Sequence, residues 1–141
     1  MEIRPGVSAI ILDPAGVLLQ RRDDNGLWGL PGGGMEPGES IPVALAREVR
    51  EETGLEVALL RLVGVYSDPA NHQILRYPDG NEIHYVSIAF VCTIVGGTLS
   101  CGTESLALEW FDPTGLPADL MAMSRIRIQD ALANQVTPFV R

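Results

Sequence analysis

The chain is poor in cysteine and in positive charge, and each shortage excludes a class of protein. Two cysteines, Cys92 and Cys101, are too few for a disulfide framework or a zinc site. Cys92 lies in an apolar run and reads as a small core residue. Ten basic residues stand against 18 acidic ones, giving a formal net charge of −8. Non-specific nucleic-acid binding requires clustered cations facing phosphate, so that class is excluded. An anionic small substrate is still admitted where a cation screens the site. No apolar run approaches the ~20 residues of a membrane-spanning helix, so no membrane partner is expected. The first residues, MEIRPGVSAIILD, lack the design of a signal peptide, and a cytoplasmic protein is the expectation.

Repeats and low-complexity segments are missing too. What is present is enough apolar sequence, 46% of 141 residues, to build one core in a single domain over residues 1–141. Gly6 to Leu12 is apolar and β-leaning, and Asp13-Pro14-Ala15-Gly16 is a turn signal. Val17 to Arg22 completes a hairpin. A short apolar piece, Trp28 to Leu30, precedes Gly32-Gly33-Gly34, a run too costly for regular structure. Ser40 is a suitable N-cap with Pro42 in the first turn, and the helix runs to about Thr53, with Gly54 as its stop. Val57 to Tyr66 reads as a strand and Ser67 to Glu82 as a long polar loop. Ile83 to Val95 reads as a central strand turned by Gly96-Gly97, and Leu106 to Phe111 as the last strand. A C-terminal helix is expected over about Ser124 to Asn134. The order β-β-β-α-β-β-β-α implies an α/β fold with helices packed on a mixed sheet.

The most informative stretch is Gly33 to Leu55, GGMEPGESIPVALAREVREETGL. Its helix carries Glu48, Glu51 and Glu52 within two turns, and residues three and four apart share a face. Three carboxylates crowded there repel one another unless a cation lies between them. All-oxygen ligation suits magnesium or manganese. The alternative is a solvated acidic face. Gly33, Glu39, Arg47, Glu48, Val49, Glu51, Glu52, Gly54 and Leu55 fill the order G-x5-E-x7-R-E-U-x-E-E-x-G-U, with U a bulky aliphatic residue. This order resembles the Nudix box, the signature of the Nudix hydrolases. Trp28 to Gly33 upstream and Glu109-Trp110-Phe111 downstream are also similar to that family.

The resemblance implies an α/β/α sandwich around a mixed sheet and metal-dependent hydrolysis of a pyrophosphate bond. The substrate would be a nucleoside diphosphate linked to another moiety, a nucleotide sugar or a nucleoside triphosphate. It implies Mg2+ or Mn2+ held directly by Glu51 and Glu52. Glu48 would act as a ligand or through water, with the backbone at Gly33 as a further ligand. Arg47 would orient a glutamate, reaching back to Glu39 or forward to Glu51 and pointing away from Glu48. Glu104 is the candidate extra ligand or general base, with Glu109 behind it.

The substrate side is less marked. One of Arg21 and Arg22 can meet phosphate, since alternation along a strand sends them to opposite faces. Trp28, Tyr66, Tyr77, Tyr85 and Phe90 can stack on a base or serve as packing, with Trp28 the substrate-contact candidate. His72 and His84 have no ligand-like spacing. Tyr66-Ser67-Asp68-Pro69 resembles the nucleoside-diphosphate-sugar branch, and nothing resembles the coenzyme A branch. The expected partner is a small nucleotide; monomer and homodimer are both open. The other function class is a non-catalytic Nudix module that binds a nucleotide as a sensor, though such a module need not keep the acidic trio.

Overall fold

The computed structural model describes all residues from Met1 to Arg141. Nine strands and two helices follow in the order β1 (Glu2–Asp13), β2 (Gly16–Arg22), β3 (Trp28–Gly29), β4 (Gly32–Gly34), α1 (Ile41–Thr53), β5 (Leu55–Tyr66), β6 (Ile74–Arg76), β7 (Glu82–Gly97), β8 (Ser105–Phe111), α2 (Ala122–Leu132) and β9 (Phe139–Val140). The main path across the sheet is β3-β2-β1-β7-β5-β9, with β4 added on β1, β6 on β7 and β8 on β2. β1 runs parallel to β7, and β9 parallel to β5; the other pairs are antiparallel, so the sheet is mixed.

Strand alternation sorts the core into two halves. Val7, Ala9 and Ile11 of β1 and Leu18 of β2 pack with Ala44, Leu45 and Val49 of α1. Ile10 of β1 and Val17 and Leu19 of β2 pack with Ile128 and Ala131 of α2. The two helices therefore cover opposite faces, and the α/β/α sandwich expected from the sequence is the observed architecture. Leu45 and Val49 are fully buried, each worth about 1.5–3 kcal/mol of transfer free energy. That burial fixes which side of α1 faces the sheet.

The helix ends follow local chemistry. Ser40 Oγ accepts the Val43 N–H at 3.3 Å, and Gly54 takes φ 75° while its N–H donates to Arg50 O. Several boundaries differ from the sequence reading. β1 begins at Glu2 because its polar first residues pair with β7 from Ile83 onward. Gly32-Gly33-Gly34 forms strand β4 instead of an irregular loop, since side-chain-free backbone can approach β1 closely. Gly96 and Gly97 belong to β7 and pair with Glu56 and Leu55. The 67–82 segment is not all loop: it contains a short 3-10 turn at Pro69–Asn71 and the strand β6. The last helix lies at Ala122–Leu132, slightly earlier than expected. β9 has no sequence signal beyond two apolar residues, because it is recruited by the open edge of β5.

Cys92 is fully buried, as its surroundings suggested, and Cys101 is exposed; both are free thiols. No helix is long and apolar enough to cross a membrane.

Gly54 gives a direct test of the helix stop. A Cβ there would lie 2.3 Å from Thr98 O, on a backbone in the left-handed region. Gly54→Ala is expected to cost at least about 1–2 kcal/mol from the left-handed conformation alone. Urea denaturation reads it; an unchanged midpoint would contradict the assigned C-cap.

Candidate active site

Glu52 is the most constrained carboxylate of the site. It leaves the last turn of α1 toward the sheet, and its Oε2 accepts two hydrogen bonds. One comes from Gln20 Nε2 of β2 and one from the Gly32 N–H of β4, both at 2.9 Å. Gln20 is itself buried and accepts from Ser105 Oγ of β8 at 2.6 Å. Burial raises the Glu52 carboxyl to about 8, and the nearby Glu48 carboxylate pushes the same way; the Gly32 N–H and the Arg22 charge oppose the rise. Two carboxyl groups held this close are comfortable only with a proton or a cation between them.

Glu48 lies one turn earlier. Its carboxylate packs on the backbone of Gly33, so closely that a Cβ at Gly33 would sit 2.6 Å from Glu48 Oε1. A side chain at Gly33 would displace the Glu48 carboxylate from this position. The Glu48 side chain is 15% exposed and Glu51 is 60% exposed. Glu51 is thus turned outward onto Arg47, and the three carboxylates do not converge into a closed cage.

Arg47 uses all five of its N–H groups. Nε and Nη2 fork onto Glu39 at 2.6 and 2.8 Å. Nη2 also reaches Gly34 O at 3.2 Å, and Nη1 reaches Glu48 at 3.0 Å and Glu51 at 3.4 Å. The sequence reading had Arg47 pointing away from Glu48; that is corrected. Its stem curls back over the helix, so one guanidinium serves Glu39, Glu48 and Glu51 together. Glu39 in turn accepts the Glu36 N–H, and its carboxyl is held down at about 2, first by the hydrogen bond from Arg47.

A cleft of about 240 Å³ opens beside this cluster, lined by Gln20, Arg22, Asp23, Asp24, Glu52 and Glu104. Glu104 comes from the turn before β8 and is exposed. Its carbonyl accepts the Asp23 N–H, which fixes the turn against the β2 end. Arg22 is held by a fork onto Asp24 at 3.0 and 2.7 Å. The larger concavity, about 530 Å³, lies elsewhere, between Met1-Glu2 and residues 80–83, and contains none of these groups.

The other sequence candidates are dispersed. Arg21 points away from the cleft, donating to Gly26 O at 3.0 Å and lying 3.9 Å from Asp119. Trp28 is packed in the core edge-on to Phe111, with ring centroids 5.0 Å apart, and does not line the cleft. Tyr66 is buried and donates to Asp130, so it is packing as well. Glu109 is exposed on β8 opposite Leu19. Gln20 went unremarked in the sequence. Its only signal there is a polar residue ending the apolar run Val17-Leu18-Leu19.

The donor set fits a hard divalent cation. The ligands offered are carboxylate oxygens with a glycine backbone beside them; Arg47 pairs with Glu48, whereas the direct partners of Glu52 are the neutral Gln20 amide and the Gly32 N–H. Mg2+ commonly takes one or two carboxylates and completes its shell with water and substrate phosphate, so a closed cage is unnecessary. Glu48 and Glu52 would hold it, with Glu51 able to swing in from the exposed side.

The raised Glu52 group gives a signed prediction. The metal-free folded chain keeps a proton that the unfolded chain has released between about pH 4.5 and 8, so its stability falls as pH rises through that window. Glu39 acts oppositely: its contribution is lost as pH falls from about 4.5 toward 2. With chelator present, the melting temperature should drop from pH 5 to 8. Glu52→Gln should flatten that drop and be no less stable at pH 8. A mutant clearly less stable at pH 8 would contradict the crowding of Glu52 and Glu48.

Comparison with known proteins agrees with this geometry. The NUDIX domain pattern matches residues 2–131. An ADP-ribose pyrophosphatase of Methanocaldococcus jannaschii is 40% identical over 114 residues, 79% of this chain and 63% of that protein's length. The nucleoside triphosphatase NudI of Escherichia fergusonii is 34% identical over 111 residues, 74% of this chain and 77% of that protein. Among solved structures, a NUDIX hydrolase from Nitrosomonas europaea superposes with a TM-score of 0.78 at 25% identity, covering 98% of this chain and 94% of that one. A UDP-X diphosphatase structure shares the fold, with a TM-score of 0.79 at 22% identity over 100% of this chain and 68% of that one. By its sequence pattern, its sheet and its two outer helices, this chain belongs to the NUDIX domain family.

Proposed function

We propose that the protein is a metal-dependent pyrophosphohydrolase acting on a nucleoside diphosphate linked to a second moiety. The observation that carries this reading is Glu52, half-buried near Glu48, anchored by Gln20 and Gly32, and lining a cleft together with Glu104. The names of the relatives support the reaction class and differ over the substrate. ADP-ribose is the first choice, since the Tyr66-to-Pro69 resemblance favours a nucleotide sugar; a nucleoside triphosphate is the second. The cytoplasm is the proposed site of action.

A bound divalent cation supplies charge neutralisation on the diphosphate oxygens and acidifies water. The chain's own residues do the rest. Glu48 and Glu52 would hold the cation, and Glu51 would complete the set. Arg47 keeps Glu48 oriented while its own position is fixed by the fork onto Glu39. Gln20 spans from Ser105 to Glu52, so the ligand carboxylate is tied to two strands as well as to its helix. Glu104 accepts the proton of the attacking water, being the one glutamate of the cleft not tied into the Glu48–Glu52 pair. The product is a nucleoside monophosphate and a phosphorylated remainder.

Purified protein should release nucleoside monophosphate from one class among ADP-ribose, other nucleotide sugars, dinucleoside polyphosphates and nucleoside triphosphates. Release should occur with Mg2+ or Mn2+ and stop with chelator. Glu52→Gln should remove turnover. Glu104→Gln should lower kcat by about 100-fold or more while leaving metal affinity unchanged, as expected for a general base. Metal binding without turnover of any substrate would favour a nucleotide-binding module. Full activity in Glu104→Gln would move the base elsewhere.

A further inference from the structure

An α-helix leaves its last carbonyls without partners inside the helix, and at the end of α1 they are taken up by the loop that precedes β8. The N–H groups of Thr98, Ser100 and Gly102 donate to the carbonyls of Gly54, Thr53 and Glu52 at 3.2, 2.8 and 3.1 Å. Contact is closest at Gly102. A Cβ there would lie 2.4 Å from Glu51 O and 3.1 Å from Glu52 Cα. Gly102 is outside the left-handed region, so its lack of a side chain serves this approach and not an unusual backbone. Residues Thr98 to Cys101 are exposed. The loop therefore adds little to the core; its backbone is seated on the backbone of Glu51 and Glu52.

Glu104 stands in the turn that follows. Ser105 N–H donates to Gly102 O at 3.3 Å, which leaves Thr103 and Glu104 at the two corners. Both ends of this turn lead to Glu52. Gly102 binds the Glu52 carbonyl directly. Ser105 Oγ donates to Gln20 Oε1 at 2.6 Å, and Gln20 Nε2 donates to Glu52 Oε2 at 2.9 Å. A closed ring of hydrogen bonds thus joins the helix end to the turn, and Glu52 and Glu104 line the same cleft. Val49, Thr53 and Leu55 are buried and hold the helix end, so crowding at Gly102 moves the exposed turn and not the helix.

We propose that Gly102 is a positioning residue for the hydrolysis. It lets the turn rest on the end of α1 while Ser105 fixes the other end, so Glu104 is held at a set distance from Glu52. The inference rests on the proposed role of Glu104 as the base that takes the proton of the attacking water. Misplacing a reacting group by about 1 Å can cost about 100-fold in rate. A glycine that touches no substrate can therefore control turnover.

Gly102→Ala adds the clashing Cβ without straining its own backbone. It should lower kcat about 10-fold or more and leave KM within about 3-fold. Mn2+ affinity, read by calorimetry, should not change. In a Glu104→Gln background the same substitution should cost no more than about 2-fold, since both act through one group. Ser105→Ala should also lower kcat, and Ser105→Thr, which keeps the hydroxyl, should restore it. Cys101 reads the loop apart from catalysis: it is the exposed one of the two thiols, and its Sγ donates to Ser105 O at 3.0 Å. Gly102→Ala should speed its reaction with a thiol reagent about 3-fold or more, as release of one hydrogen bond would. Full kcat in Gly102→Ala beside an impaired Glu104→Gln overturns the proposal. So does a loss of kcat that persists in full in the Glu104→Gln background, or one that comes with lost Mn2+ affinity. If wild-type protein hydrolyses nothing, or Glu104→Gln keeps full turnover, the base assignment fails, and the seating of the loop by Gly102 stands or falls on the Cys101 rate.

Discussion

The seating of the Glu52 carboxylate between the helix and two strands is the constraint on which the site depends. A carboxyl group at the end of α1 would ordinarily turn to solvent. Here Gln20 and the Gly32 N–H draw it into the sheet, and burial then raises its proton affinity. Everything nearby follows from that placement. Gly32 must be glycine because its backbone sits in the left-handed region against Val7 of β1, and the bare Gly33 beside it leaves room for the Glu48 carboxylate. Ser105 must face Gln20 to fix the amide. A divalent cation held by both acids would offset the cost of placing one beside the other, turning mutual repulsion into shared ligation.

Charge is distributed around that centre by arginine alone; the chain has no lysine. The choice matters most at Arg47, where five donors meet five acceptors in a fixed plane. An ammonium group has three donors and no fork, and it could not hold Glu39, Glu48, Glu51 and Gly34 together. The same geometry explains why Glu39, eight residues upstream of Arg47, belongs to the signature. It fixes the arginine that holds Glu48.

Much of this was legible in the sequence because it is local. The helix from Ser40 to Gly54 follows from its cap, its first-turn proline and its stop, and the spacing of Glu48, Glu51 and Glu52 follows from helical period. The hairpin of β1 and β2 was announced by its turn. What escaped was set by long-range pairing. The glycine run reads as loop until β1 is placed beside it, and β9 exists only because β5 has an edge to cover. Trp28 and Tyr66 read equally well as stacking platforms or core; only the packing of Phe111 and Asp130 against them decides. Arg47 and Glu48, adjacent in sequence, were expected to diverge. The arginine stem is long enough to return, a freedom that helical geometry at Cβ does not record. Gln20 carries no motif, and its importance appears only when strands distant in sequence are brought together.

The central claim is that Glu48 and Glu52 share a divalent cation beside Gly33. Anomalous diffraction from crystals grown with Mn2+ tests it most directly. The account predicts a manganese peak within reach of the Glu48 and Glu52 carboxylates and the Gly33 backbone, lost or strongly reduced in Glu52→Gln. A peak held by Glu104 and Asp24 alone, or one unaffected by Glu52→Gln, would contradict it.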